Sequence, residues 1–478
     1  MYATTDTLAT TPATQGGRSR WLALYTLCAG MLMIVLDVTV VNVALPAIQD
    51  DLGFTSSSLA WVVNAYLIAF GGLLLLAGRL GDLLGRRNIF IAGLVVFTVA
   101  SVWCGLASSQ EVLVIARFVQ GIGGALTSAV ILGMIVTLFP EPREQAKAIG
   151  MYAFVASAGG SIGLLAGGVL TQAISWHWIF FVNLPIGILT VALALKLIEK
   201  DKGLGMGRGT DVPGAVLITA ALMLGVFTIV KPAAELGWTA GRTVALGLLT
   251  LTLLICFVVR EATAANPLVP LRIFRSRNLS GANLVQALSA SGMFGIFFLG
   301  SLYLQRVLGY DALEIGLAFL PTTVVMGLLS VRYSEKLVTR FGPRRPLIAG
   351  LLLVTLGLVL FTQAPVDGNY VVHVLPVLAL LGLGGGIAFP ALMGLSMADV
   401  QPEDAGLASG LIGTMGEVGA ALGLAVLATL AATNTTGSSN PLQALTNGYH
   451  FAFAVAAAIL AVSVLIAYFV MRPAKTTN

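Results

Sequence analysis

The chain has 478 residues, of which 57% are hydrophobic and 10% charged, with a mean hydropathy of +0.94. A soluble protein carries about 25% charged residues, so the composition excludes a water-soluble globular domain and points to a polytopic membrane protein. The net charge of +5 does not mark a nucleic-acid partner, because the basic residues are spread over short loops instead of forming a patch.

Apolar runs of about 20 residues predict spanning helices. In chain order they are α1 (21–45), α2 (57–77), α3 (88–107), α4 (112–138), α5 (145–171), α6 (177–199), α7 (212–231), α8 (241–260), α9 (279–305), α10 (312–332), α11 (344–363), α12 (372–397), α13 (405–431) and α14 (449–471). The expected fold class is all-α, with fourteen transmembrane helices and no soluble domain. Most of the 26 lysines and arginines fall in the loops after even-numbered helices, such as Arg79, Arg86 and Arg87 after α2, Arg143 and Lys147 after α4, and Arg332, Lys336 and Arg340 after α10. Cytoplasmic loops carry the positive excess, so both termini are expected in the cytoplasm of a cell-membrane protein. Asp399, Glu403 and Asp404, between α12 and α13, break the pattern and are expected to face the cytoplasm without a basic partner nearby. The first 17 residues are expected to be disordered, and α1 is too long for a cleaved signal peptide. Cys28, Cys104 and Cys256 all lie in apolar spans without ligand spacing and read as inert core residues. Trp176 and Trp178, flanking His177, read as interfacial anchors.

The loop after α2, GRLGDLLGRRN, and the loop after α10, VTRFGPRRP, both end in glycine followed closely by paired arginines. If α10 is the counterpart of α2, then α9–α14 repeat α1–α6 and α7–α8 are an insertion. The expected division is a tail (1–20), a six-helix bundle (21–199), linkers with two inserted helices (200–278), a second six-helix bundle (279–471) and a tail (472–478). A site at the interface of the repeats near the midplane follows. GLGMGRG at 203–209 mimics a nucleotide loop, but no strand precedes it and no lysine of the phosphate-binding type follows, so it reads as a linker.

Asp37 lies inside α1. An acid near the middle of a spanning helix costs about 2.5–3.5 kcal/mol on insertion scales, so such residues face a polar interior and perform a task. Asp37 is about 12 Å below the outer end of α1 and Arg117 about 8 Å below that of α4, by the helical rise, so the two can share a depth. An arginine beside Asp37 would keep it ionised, and separation in an apolar setting would favour proton uptake. Glu417 is a second acid, near mid-depth in α13, suited to a proton or to a cationic substrate. Gly159, Gly163 and Gly167 recur every four residues on α5, beside Gly160 and Gly168, a small-residue face for close helix approach. Met33, Asn42, Gln120, Phe294 and Phe298 are candidates for an adaptable substrate cavity, together with Met31 and Phe297.

LDVTVVNVALP at 36–46, GRLGDLLGRR at 78–87, RFVQGIGGAL at 117–126, GGSIGLLAGG at 159–168, SWHWIFFVNLPIG at 175–187 and AGLASGLIGTMGEVGAALG at 405–423 together resemble the fourteen-helix drug:proton antiporter group of the major facilitator superfamily, from α1 to α14. The resemblance implies proton coupling through Asp37 and Arg117. It also implies a gating loop of Gly78, Asp82, Gly85, Arg86 and Arg87, with Asp82 facing the start of α13, and a helix-5 motif containing Gly159, Gly163, Gly167 and Gly168. The chain departs from the family pattern at Leu83, where a basic residue is common, at Leu164, where proline is usual, at His177, usually arginine, and at Gly416 and Glu417, where relatives more often have Arg and Gln. The expected function is a proton-coupled exporter of amphipathic organic compounds working by alternating access. The alternatives are an importer or a dedicated metabolite exporter on the same fold. No nucleophile or metal cluster suggests an enzyme. No cofactor, nucleotide or nucleic acid is expected; the partners are a small molecule, protons and lipid.

Overall fold

The computed structural model describes residues 17–54, 56–201, 203, 205, 211–265, 267, 269–310, 312–435 and 440–472. The first 16 residues and most of the 203–209 stretch lie outside them, as do some side chains within helices, including those of Asn42 and Leu164. Among the described residues there are fourteen helices long and apolar enough to cross a membrane, and no strand. The chain is a multi-pass all-α membrane protein.

The observed helices are α1 (Gly17–Leu52), α2 (Ser56–Leu84), α3 (Arg86–Gly105), α4 (Gln110–Leu138), α5 (Pro142–Ala173), α6 (Trp178–Leu197), α7 (Val212–Thr228), α8 (Gly241–Thr263), α9 (Arg277–Arg306), α10 (Ala312–Arg332), α11 (Arg344–Phe361), α12 (Leu375–Met397), α13 (Ala405–Thr433) and α14 (Pro441–Phe469). Their ends run beyond the apolar windows because helical hydrogen bonding continues through polar residues that hydropathy does not register. The C-terminus of α1 is closed by Gln110, whose amide donates to the carbonyls of Leu52 at 3.1 Å and Gly53 at 2.9 Å. The first turns of α14 hold a Gln443–Asn447 hydrogen bond of 3.0 Å.

The packing repeats with a shift of eight helices. In the first half α3 and α2 pack on α4, α1 packs on α5 and α6, and α3 on α6; in the second half α11 and α10 pack on α12, α9 on α13 and α14, and α11 on α14. Glycine pairs occupy matching places. Gly93 of α3 meets Gly123 of α4, and Gly350 of α11 meets Gly384 of α12; a Cβ on Gly350 would stand 2.5 Å from the Gly384 carbonyl oxygen. Backbones this close require glycine. The arginine loops also match in role. Arg87, at the start of α3, donates to the Leu195 carbonyl at 2.6 Å near the end of α6, while Arg344, at the start of α11, donates to the carbonyls of Ala467 and Tyr468 near the end of α14. In each half an arginine neutralises the carbonyl-rich terminus of the last helix.

Between the halves, α2 packs on α13 and α10 on α5, again a symmetric pair, with α4–α13 and α12–α5 contacts beside them. The inserted α7 and α8 pack on each other, and α7 on α2. At their base Asp211 accepts from Gly214 N at 3.1 Å and Arg260 Nε at 3.0 Å, and Glu261 accepts from Val269 N at 2.8 Å. The other oxygens, Asp211 Oδ2 and Glu261 Oε1, are buried without a partner. Both face Gly214, where a Cβ would stand 2.5 Å and 2.8 Å from them.

Cys28 and Cys104 are buried, as expected, but Cys256 is exposed on the outer face of α8. A helix packed on few neighbours leaves most of its apolar side chains facing outward, and α8 is such a helix. Trp178 is exposed and suits an anchoring role, whereas Trp176 is buried and donates its indole N–H to Asp51 Oδ2 at 2.9 Å.

Candidate functional site

Asp37 and Arg117 meet inside the first half. Arg117 Nη1 donates to Asp37 Oδ2 at 2.5 Å, and each residue is 1% exposed. The helical rise fixes this meeting: α1 and α4 run in opposite directions, and both residues lie a few turns from the same end. Arg117 also donates locally, from Nε to the Val62 carbonyl at 3.0 Å and from Nη1 to Gln120 Oε1 at 2.6 Å, and its guanidinium lies 4.5 Å from the Tyr66 ring centroid.

Asp37 has further donors. Gln120 Nε2 reaches Asp37 Oδ1 at 2.7 Å and Ser101 Oγ at 2.6 Å; Asn183 Nδ2 reaches the same carboxylate oxygen at 3.2 Å and Ser101 Oγ at 3.1 Å. The network therefore draws on α1, α2, α3, α4 and α6. Buried charge is tolerable only when its lone pairs and protons are satisfied, and removing one partner of such a pair costs about 3–5 kcal/mol. Ser101 and Asn183 were not legible in the sequence, because single polar residues in apolar helices are common. The NLPIG segment, which places Asn183 at the start of the main part of α6, was the available signal.

Gln120, expected to line a cavity, is fully buried in this network, and Met33 is fully buried in apolar core. Phe294 and Phe298 are exposed on α9, and Phe297 packs against Phe319 with ring centroids 5.2 Å apart. The side chain of Asn42 lies outside the described set. A cavity in the second half is lined by Gln286, Ser289, Met293, Met326 and Phe389 among others; Met33, Gln120, Phe294 and Phe298 do not border it.

The glycines of α5 pack on α1 around Asp37. Gly159 faces Val35, Gly163 faces Thr39 and the Leu36 carbonyl, and Gly167 faces the backbone of Val40. Gly168 differs: a Cβ there would meet nothing within 4 Å. Three of the four motif glycines thus seat α5 against the helix that carries the acid.

The loop after α2 forms a latch to α13. Asp82 Oδ1 accepts from Gly406 N at 2.8 Å and Asp82 Oδ2 from Leu407 N at 2.7 Å, which places a carboxylate on the exposed N–H groups of a helix start. Arg86 holds Asp82 from the other side, with Nη2 at 2.9 Å and Nε at 3.1 Å from Oδ1, and also donates to the Pro402 carbonyl. Glycines bring the helices together: Gly78 lies on Gly406, and a Cβ on Gly410 would stand 2.7 Å from the Leu74 carbonyl oxygen. Gly85 has φ +95°, the left-handed region, and a Cβ there would also crowd Asp201. Asp201 itself caps α3 by accepting from Arg86 N at 2.6 Å and Arg87 N at 3.1 Å. The symmetric contact, between the start of α5 and the short helix Ser334–Phe341 after α10, uses an Arg143–Glu335 ion pair with Arg143 79% exposed. A screened surface pair contributes little, so Asp82 carries the tighter junction.

The acids before α13 are not isolated. Asp404 pairs with Arg272 at 3.0 Å, and Asp399 accepts from Asn278 Nδ2 at 3.0 Å. The expectation of no basic partner fails because Arg272 arrives from the connector after α8, 132 positions earlier in the numbering. Glu417 lies at the α2–α13 contact, its Cβ 3.8 Å from where a Cβ on Gly71 would stand.

Residues 27–424 match the family model described as Major Facilitator Superfamily. The chain is 36% identical over 459 residues to the puromycin resistance protein pur8 of Streptomyces alboniger, covering 94% of this chain and 91% of that one. It is 38% identical over 450 residues to the cephamycin export protein CmcT of Amycolatopsis lactamdurans, covering 93% and 91%. Among solved structures, the human organic anion transporter MFSD10 (TETRAN) superposes with a TM-score of 0.68 at 14% identity, covering 95% of this chain and 100% of that one. The proton:xylose symporter XylE superposes with a TM-score of 0.67 at 16% identity, covering 95% and 97%. At such identities the two structures speak for the fold alone.

Proposed function

The chain belongs to the Major Facilitator Superfamily, and on that premise we propose that it exports amphipathic, antibiotic-like compounds across the cell membrane in exchange for inward-moving protons. Export as the direction is supported by relatives at 36–38% identity over most of their length, whose names record puromycin resistance and cephamycin export. The observation that carries the coupling is Asp37, a buried acid on α1 held by an arginine from α4.

In this reading residues 21–199 and 279–471 are the two bodies that rock against each other, and α7–α8 ride on the first through α2. The end bearing the arginine-rich loops and both termini is cytoplasmic. In this reading the Asp82 latch seals that end, as an outward-facing carrier requires. A proton delivered to Asp37 removes the charge that Arg117 answers, and the network of Gln120, Ser101 and Asn183 must then rearrange. Because α5 is seated on α1 through Gly159, Gly163 and Gly167, a shift of α1 is transmitted to the helix that also touches α10 and α12. No cofactor enters; the proton is the coupling ion. One proton crossing 100 mV supplies about 2.3 kcal/mol, enough for a roughly fifty-fold gradient of a neutral compound.

The test is transport of puromycin, cephamycin and ethidium by the purified protein in liposomes, with and without an imposed pH gradient. Gradient-driven movement opposite to the protons supports the reading; movement in the proton direction, or none, contradicts it.

A further inference from the structure

Tyr66 of α2 is 1% exposed, and its hydroxyl is buried with no hydrogen-bond partner. An unpaired buried hydroxyl is destabilising, and phenylalanine would fill the same space without it. Packing therefore explains the ring, which stacks on Phe70 at 5.5 Å and lies under the Arg117 guanidinium, but not the oxygen. The oxygen is 2.7 Å from where a Cβ on Gly124 would stand, so it lies close against the backbone of α4.

Two acids stand on helices that contact α2. Asp37 shares Arg117 with the ring. Glu417 stands beside Gly71, five residues further along α2, and among the described residues no hydrogen bond or ion pair reaches its carboxyl group. The charged groups within electrostatic reach of Tyr66 are Asp37 from α1, Arg117 from α4 and Glu417 from α13.

We propose that the Tyr66 hydroxyl is the proton-passing link between Asp37 and Glu417, open in this conformation and closed when α13 shifts against α2. In the step, protonated Asp37 gives its proton to Tyr66 Oη as Tyr66 gives its own to the Glu417 carboxylate. One proton moves, the tyrosine ends neutral, and rotation of its O–H resets it. Tyr66 is thus a positioning and relay residue, not a second coupling acid. The proposal rests on the proton-driven reading above.

The experiment compares wild type and Tyr66→Phe in liposomes, for whichever of puromycin, cephamycin and ethidium the wild type carries. Three quantities are read: thermal midpoint, gradient-driven transport across a pH series, and substrate exchange without a gradient. The expected result is an unchanged or higher midpoint, exchange within twofold of wild type, and driven transport reduced at least tenfold. Driven transport within twofold at every pH overturns the link, as does a lowered midpoint with exchange and driven transport falling together. A wild type that carries none of the three under a gradient overturns the exporter reading and the link with it, whereas a wild type that is driven and sensitive to Asp37→Asn isolates the failure to Tyr66.

Discussion

The carboxylate of Asp82 receives the backbone N–H of Leu407 at 2.7 Å, across 325 positions of sequence. With the Gly406 bond, this one side chain caps the first turn of α13 and joins the two halves at the end that carries the arginine loops. A charge-assisted hydrogen bond contributes about 1.5–3 kcal/mol. Asp82→Asn, which removes the charge, should therefore shift the population toward opening at this end by tenfold or more. Ser409→Cys, at a buried position of α13, in a chain with Cys28, Cys104 and Cys256 replaced by alanine, gives the readout: maleimide labelling should rise at least tenfold in the Asp82→Asn background. Equal labelling in both backgrounds would show that the latch does not hold the closed state.

The glycines of α5 allow a test within one motif. Gly163→Ala places a methyl group against Thr39, and overpacking of this kind costs about 1–3 kcal/mol. The thermal midpoint should fall by several degrees, and transport with it, because Thr39 is two residues from Asp37. Gly168→Ala meets open space and should leave both unchanged. A similar response from the two variants would mean that the motif acts through composition and not through its seat on α1.

Much of the fold was legible because membrane helices are written in long apolar runs, and the arginine-bearing loops after α2 and α10 exposed the repeat of α1–α6 as α9–α14. Asp37 and Arg117 stood out because charge is rare in such runs. What stayed hidden depends on facing. Asn183 and Ser101 carry no signal until α6 and α3 turn them toward Asp37. The partner of Asp404 comes from a connector, Gln120 serves the ion pair instead of a cavity, and Trp176 turns inward to Asp51. Sequence spacing gives depth along a helix well, but rotation about its axis is set by neighbours that hydropathy does not identify.

Arginine at position 117 serves three acceptors in different directions: Asp37, Gln120 and the Val62 carbonyl. A lysine has one nitrogen and no planar fork. Arg117→Lys should therefore keep the charge yet reduce gradient-driven transport at least tenfold, with membrane insertion retained. Near-normal driven transport in this variant would show that charge alone suffices.

The base of the inserted helices offers a stability test independent of transport. Asp211 Oδ2 and Glu261 Oε1 face each other's vicinity without a donor. Glu261→Gln keeps an acceptor for Val269 N and supplies an N–H toward Asp211, so it should raise stability by about 1 kcal/mol. Glu261→Leu removes the acceptor and should lower it. Thermal midpoints in detergent at neutral pH distinguish the two; a fall in both would mean that the second oxygens are already satisfied by bound water.

The most direct measurement for the account as a whole is gradient-driven efflux by Asp37→Asn in liposomes beside wild type, with substrate exchange measured in the absence of a gradient. Asparagine keeps the size of the side chain and still accepts from Arg117, so exchange should persist while concentrative efflux disappears. Full concentrative efflux in the mutant would contradict proton coupling through Asp37.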